Sequence, residues 1–270
     1  MVTLRTLFYP PQGHAYKANP VDFAMLAYGQ DGETPMGWSG VQSRLSALSY
    51  TAEPIGDWTG PGTQGYIARN EQQAVLAFRG TEPNDWADLF TTLTLLPKTE
   101  SGDAKVHEGF QKALSQVWPQ VEARLPLNLP LTICGHSLGG ALALLSGAKL
   151  SARTPRVYTY GTPRVGNREW GHRLLAATNS QVVRCVNEED IIASVPARRL
   201  GYAHSPAKVT RLREATVSED TEDPGVSAIE LTAAITELAL WTAHRDLNKP
   251  VTQPRLAAHS PSHYLRRSPL

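Results

Sequence analysis

Leu129-Pro-Leu-Thr-Ile-Cys134, Gly135-His-Ser137-Leu-Gly139 and Gly140-Ala-Leu-Ala-Leu-Leu145 follow one another without a break in the middle of the chain. The first six residues form an apolar run of strand length. Leu138 to Ala152 is rich in Ala and Leu and reads as a long helix. Between the two stands Gly-x-Ser-x-Gly. By itself that pattern is common. At the end of a strand and the start of a helix it acquires a mechanical meaning: a sharp elbow leaves no room for neighbouring Cβ atoms, so both flanking positions must be glycine. The N-terminus of the following helix also favours negative charge developing beside it. Ser137 is therefore the candidate nucleophile. A serine that merely caps a helix is the simpler reading, and it leaves both glycines unexplained. Side chains on such an elbow diverge, so His136 reads as packing or hydrogen-bonded support rather than as a base.

Outward from the elbow, strands and helices alternate. Arg156-Val-Tyr-Thr-Tyr160 is a strand, Asn167 to Thr178 a helix, and Gln181-Val-Val-Arg-Cys-Val186 a further strand. On the N-terminal side, Gly65-Tyr-Ile-Ala-Arg69 and Gln73-Ala-Val-Leu-Ala-Phe78 flank Asn70-Glu71 as a hairpin. Phe110, Leu114, Val117, Val121 and Leu125 recur at helical spacing, with Pro119 expected to kink or interrupt that helix. Asn19-Pro20 opens a short helix with Phe23, Leu26 and Ala27 on one face. Residues 29–62 are rich in Gly, Pro, Ser and Thr and read as loop, apart from a short helix near Gln42 to Tyr50. This order implies a mostly parallel central sheet with helices on both faces. Combined with the elbow, it is the α/β-hydrolase fold. No internal repeat or linker divides residues 1–270, so one domain is expected. The acidic stretch Glu219 to Asp223, ending in Pro224-Gly225, reads as an exposed loop. After it, Leu231, Ile235, Leu238 and Trp241 line one face of a helix, read as core packing ahead of a binding face.

Composition narrows the function classes. The 26 basic and 25 acidic residues nearly cancel, which argues against a nucleic-acid partner. No Cys-x-x-Cys pair and no His-Glu-x-x-His occurs, so neither a metal nor another cofactor is expected. The 2 cysteines, Cys134 and Cys185, sit inside apolar runs and read as buried thiols. No run approaches the roughly 20 apolar residues of a transmembrane helix. The N-terminal residues lack the continuous apolar segment of a signal peptide. A cytoplasmic location is the expectation, ahead of export without a cleavable leader.

A serine hydroxyl is a poor nucleophile at neutral pH and needs a base oriented by a carboxylate. In this fold the partners follow in the order serine, acid, histidine. Asn187-Glu188-Glu189-Asp190 comes directly after a strand, and on position all three carboxylates qualify. The later histidines are His204, His244, His259 and His263. His244 ends a helix, where a capping role accounts for it. His259 and His263 share a late loop, Ala258-His-Ser-Pro-Ser-His-Tyr-Leu265, and both are eligible as base. The oxyanion needs two donors: the backbone N–H of Leu138, and one from the Phe78-Arg79-Gly80-Thr81 turn after an earlier strand.

These residues resemble the class 3, or fungal-type, lipases. The likeness covers roughly residues 20–200 and the last dozen, in six collinear blocks. They are Ala77-Phe-Arg-Gly-Thr81, Asp85-Trp-Ala-Asp-Leu89, Val106-His-Glu-Gly-Phe110, Gly135-His-Ser-Leu-Gly-Gly-Ala-Leu-Ala143, Tyr160-Gly-Thr-Pro-Arg-Val-Gly-Asn167, and Val186-Asn-Glu-Glu-Asp190 followed by Val195-Pro196. The resemblance implies Ser137 as nucleophile, Asp190 as acid, and Thr81 with Leu138 as oxyanion donors. It implies His259 as base, through the spacing His-x4-Tyr that ends at Tyr264. It further implies a lid at 82–97, in which Trp86, Leu89 and Phe90 are apolar candidates for acyl or lid contact, and transient contact with a lipid interface. The implied activity is hydrolysis of carboxylic esters of acylglycerols. Short-chain carboxylesterase and phospholipase A1 chemistry stand as alternatives on the same scaffold, as does a non-catalytic binding module. Residues of about 205–255 match none of the blocks and are expected to be an insertion.

Overall fold

The computed structural model describes residues 18–31, 34–81, 98–187, 190–213, 216–220 and 258–267. Trp86, Leu89 and Phe90, Glu188 and Glu189, His244, and the helix expected through Leu231 and Trp241 lie outside the described residues. In chain order the elements are α1 Pro20–Leu26, β1 Gln30–Asp31, β2 Thr34–Pro35, α2 Gly37–Ala47, β3 Thr51–Ile55, β4 Gly65–Arg69, β5 Ala74–Phe78, β6 Lys98–Ser101 and β7 Ala104–Val106. They continue with α3 Glu108–Arg124, β8 Leu131–His136, α4 Leu138–Lys149, β9 Arg156–Tyr160, α5 Arg168–Ala177, β10 Val182–Asn187, β11 Lys208–Arg213, β12 Thr216–Asp220 and α6 Pro261–Arg267.

The central sheet has the order β12-β11-β10-β9-β8-β5-β4-β3. From β5 through β8, β9, β10 and β11 every pairing is parallel. The outer pairs β3–β4, β4–β5 and β11–β12 are antiparallel. The sheet is thus mostly parallel, as expected. Its middle strands alternate between two apolar clusters. Ala74, Leu76 and Phe78 of β5, with Leu131 and Ile133 of β8, pack toward α3, α4 and α5. Val75, Ala77 and Cys134 pack to the other face, with Phe23 and Leu26 of α1 and Leu45 of α2. Burial on both faces explains why these strands read as continuous apolar runs rather than as a polar–apolar alternation.

Four expectations need correction. Helix α3 runs through Pro119 instead of breaking there. Phe110, Leu114, Val117 and Val121 bury one face of it, and that burial outweighs the roughly 3 kcal/mol cost of an internal proline. Ser115, whose carbonyl loses its N–H partner to Pro119, is exposed to water. Within the stretch read as an insertion, β11 and β12 extend the sheet, so Glu219 and Asp220 belong to a strand rather than a loop. The last segment is also not all loop, because His263 and Tyr264 lie on α6. Strand β3 escapes recognition because Pro54 and Glu53 disguise it; as an edge strand it tolerates both.

Register sets up the site. Phe78 of β5 pairs with Gly135 of β8, and His136 of β8 with Tyr160 of β9. The turns after β5, β8 and β9 therefore leave the sheet at one edge, side by side. The approach there is close: a Cβ on Gly139 would lie 2.3 Å from the Phe78 carbonyl oxygen and one on Gly135 2.2 Å from that of Gly139. Gly139→Ala is expected to lower unfolding free energy by about 1–3 kcal/mol, measured by urea denaturation, because the collision is with backbone. An unchanged midpoint would contradict this contact.

Candidate active site

Ser137 occupies the turn between β8 and α4 with φ 56° and ψ −126°, a conformation that costs a non-glycine residue free energy and marks functional turns. Its N–H donates to the Tyr160 carbonyl at 2.9 Å, and its own carbonyl accepts from Gly140 N–H at 3.0 Å. The backbone is pinned on both sides, so the hydroxyl is carried on a rigid support. Ser137 Oγ is buried and makes no hydrogen bond among the described residues, to His259 included. Nucleophile–base contacts are commonly long before substrate arrives.

The histidine on the carboxylate is His259, not His263. His259 Nδ1 lies 2.7 Å from Asp190 Oδ2, with both side chains fully buried. Since the carboxylate only accepts, Nδ1 carries the hydrogen and the neutral ring presents its lone pair at Nε2. Asp190 is satisfied on every side. Its Oδ2 also accepts from the Tyr264 hydroxyl at 2.6 Å, and its Oδ1 accepts from the N–H groups of Ile192 at 2.8 Å and Ala193 at 3.4 Å. The Tyr264 hydroxyl in turn accepts from Asn187 N–H at 3.0 Å.

The segment bearing His259 is tied down by two further side chains. Asn187 Nδ2 donates to the Ala258 carbonyl at 2.9 Å. His136 Nε2 donates to the His259 carbonyl at 2.8 Å, and its Nδ1 accepts from the Tyr28 hydroxyl at 2.7 Å. The rings of His136 and His259 lie with centroids 4.6 Å apart. The residue just before Ser137 therefore touches the imidazole that follows it by more than a hundred positions. Gly161 closes the site from the β9 side: a Cβ there would meet Asp190 Oδ2 at 2.6 Å and His259 Nδ1 at 3.0 Å. His136 is thus hydrogen-bonded support.

The distinctive Tyr160–Asn167 block also acquires a physical reason. Arg164, almost fully buried, donates to the carbonyls of Ser194 and Pro196, the latter at 2.9 Å, while its backbone N–H reaches Val195 O at 2.7 Å. His204 donates to the Ala193 carbonyl at 2.7 Å. Both hold the loop that follows Asp190. Thr81 and Leu138 stand together in the wall of a cleft of about 570 Å³ beside the elbow. Leu138 is the first residue of α4, so its N–H has no acceptor within the helix.

Protonation states follow from burial. Burial, and secondarily the neighbouring His259, hold the His136 imidazole well below the usual histidine range. It is therefore the neutral Nε2–H tautomer that its two bonds require. Burial raises the Tyr28 and Tyr264 hydroxyls, which stay protonated as donors. Burial pushes the Cys185 thiol up to about 12 and Cys134 higher still. Neither is a thiolate at neutral pH, and both are free. Sequence reading gave no role to Tyr28 or Asn187 and took Tyr264 only as a spacing marker. Nothing local signals Tyr28, whose partner lies 108 positions away.

Residues 75–200 match the model of the family described as Lipase (class 3). The lipase of Rhizopus niveus is 30% identical over 200 residues, covering 66% of this chain and 51% of that protein. The chain spans about half the length of these curated relatives, which it matches over 200 residues. The solved structure of lipase II from Rhizopus niveus is 27% identical with a TM-score of 0.54, covering 67% of this chain and 74% of that one. The structure of the Lip2 lipase from Yarrowia lipolytica has a TM-score of 0.60 at 21% identity, covering 75% of this chain and 81% of that one, a likeness of fold.

His136 has a measurable consequence for stability. An unfolded chain protonates it near the ordinary value of about 6.5, whereas the folded chain holds it neutral well below that. Below pH about 6.5 the unfolded state binds a proton that the folded state does not, so stability falls with acid by up to about 1.4 kcal/mol per pH unit. Above that pH the contribution is full and constant. His136→Gln is expected to flatten the pH dependence of unfolding free energy between pH 6.5 and 5. Parallel slopes in the two proteins would refute it.

Proposed function

We propose that this chain, whose residues 75–200 match the model of the family described as Lipase (class 3), hydrolyses carboxylic ester bonds of acylglycerol lipids through an acyl-enzyme. The observation that carries the reading is the buried Asp190–His259 pair set against the strained elbow of Ser137. His259 Nε2 removes the Ser137 proton as Oγ attacks the ester carbonyl carbon. Asp190 stabilises the imidazolium so formed and keeps the ring in its working tautomer. The carbonyl oxygen becomes an oxyanion, which the N–H groups of Leu138 and Thr81 receive in our assignment. The tetrahedral species collapses, the C–O bond to the alcohol breaks, and His259 gives its proton to the departing oxygen. A water molecule then attacks the acyl-enzyme, His259 takes its proton, and the carboxylic acid leaves as Ser137 regains its hydrogen. Reaching lipid in an emulsion requires contact with its surface, the role assigned to Trp86, Leu89 and Phe90.

A fluorophosphonate probe is expected to label the protein, and Ser137→Ala to abolish labelling while retaining the fold. The same substitution should lower kcat on p-nitrophenyl esters by about 10⁴-fold or more. A protein that binds lipid without labelling would be a binding module and not an enzyme. His259→Ala should match the loss in Ser137→Ala, with His263→Ala retaining activity within about tenfold. Comparable losses at both histidines would remove His259 as the base. Esters of rising acyl length, dissolved and emulsified, separate a lipase from a short-chain esterase.

A further inference from the structure

A second hollow, of about 280 Å³, lies between α3 and α4, at the end of α4 remote from Ser137. It uses a different face of α3 from the cleft beside the elbow. Lys112, Ala113 and Gln116 line that cleft, whereas Gln111, Leu114 and Trp118 line the hollow. Its floor is apolar. Leu114 and Leu145 lie there at 3% and 4% exposure, and the half-buried Trp118 forms a wall. Ser115 also lines the hollow, but its hydroxyl is turned back into α3, where it donates to the Lys112 carbonyl at 2.7 Å. One charge remains on the lining, the Lys149 ammonium. It lies 4.8 Å from the centre of the Trp118 ring, and no carboxylate pairs with it among the described residues. Contact with the indole face holds the ammonium at the hollow without cancelling its charge.

These features select an occupant. The two leucines and the indole reward an apolar body, whose burial frees water from carbon surface. A neutral hydrocarbon would cover the ammonium and offer it no partner, and a second ammonium would be repelled. A carboxylate at the Lys149 end meets the charge in a partly dry setting, where such a pair is stronger than in water. Length follows from the helix. Gln111 and Trp118 stand two turns apart on α3, about 10 Å along its axis. An extended acid of about eight carbons, with bonds of about 1.5 Å, spans roughly that distance. We infer that the hollow between α3 and α4 is a binding site for a medium-chain monocarboxylate, with its acid group on Lys149 and its chain over Leu114 and Leu145. The site needs no chemistry at Ser137. In the ester-hydrolase reading, an acid of this class is what the reaction releases.

Octanoate, 1-octanol and octylamine are titrated separately into the protein, each below the concentration at which it aggregates. Calorimetry gives the affinity. The indole N–H resonance of Trp118, recognised by its loss in Trp118→Phe, gives the place. Octanoate is expected to bind with a Kd below about 1 mM and to shift that resonance to saturation. Octanol and octylamine are expected to bind about fivefold more weakly or worse. Lys149→Gln should weaken octanoate binding about fivefold, while Lys149→Arg, which keeps the charge and the stacking, stays within about twofold. Ser137→Ala should bind octanoate with an unchanged Kd. A Trp118 resonance that does not move, or equal binding of octanol or by Lys149→Gln, overturns the site. So does a loss of binding in Ser137→Ala, which would put the acid at the elbow instead. None of these results touches the ester-hydrolase reading, which stands or falls on turnover.

Discussion

A carboxylate removed from water must have its lone pairs occupied, and much of this molecule is arranged around that demand at Asp190. Four donors converge on it: the His259 ring, the Tyr264 hydroxyl and the N–H groups of Ile192 and Ala193. A buried charge left unpaired would cost several kcal/mol. Two of the donors come from α6 and the turn before it, near the C-terminal end of the chain. Two come from the loop immediately after Asp190 itself. The final segment must therefore return to the sheet edge, and the loop must curl back over its own carboxylate. Arg164 and His204, each donating to carbonyls of that loop, keep it curled.

The second constraint is steric. Ser137 stands at positive φ because strand β8 gives way to helix α4 with no spare length. The elbow's glycines allow helix and strands to approach until backbone meets backbone. The strain at Ser137 is offset by the rows of apolar side chains that α4 and β8 bury on either side. A hydroxyl on a loose loop would have no such anchor. Here the hydroxyl is placed by the packing of a whole sheet, and its orientation follows from two backbone hydrogen bonds.

The histidine beside the nucleophile links the two constraints. His136 is neutral because it is buried, and its tautomer is dictated by a carbonyl at one nitrogen and a tyrosine hydroxyl at the other. Through it the elbow, Tyr28 in the turn after helix α1 and the backbone of His259 form one hydrogen-bonded unit. A displacement of any of these would reach the His259 imidazole directly.

Strand and helix periods, the glycines of the elbow and the order of the blocks were legible along the chain because each is a local pattern. They place Ser137 at a strand-to-helix turn, and they make the sheet parallel. The family likeness carried the choice of Asp190 and His259. Less local features stayed hidden. Strand β3 looks like loop because an edge strand can hold Pro54. Helix α3 survives Pro119 because its apolar face is buried. The first turn of α6 looks like the continuation of a loop. The partners of Tyr28, Asn187 and Tyr264 are invisible for a deeper reason: a hydrogen bond between positions seventy or a hundred residues apart leaves no periodicity to read. By itself the sequence determined the mostly parallel sheet and the strand-to-helix turn on which Ser137 sits. Only the tertiary structure decided which histidine faces the carboxylate and what holds it there, since burial, and with it the need for a partner, exists only once the chain has closed on itself.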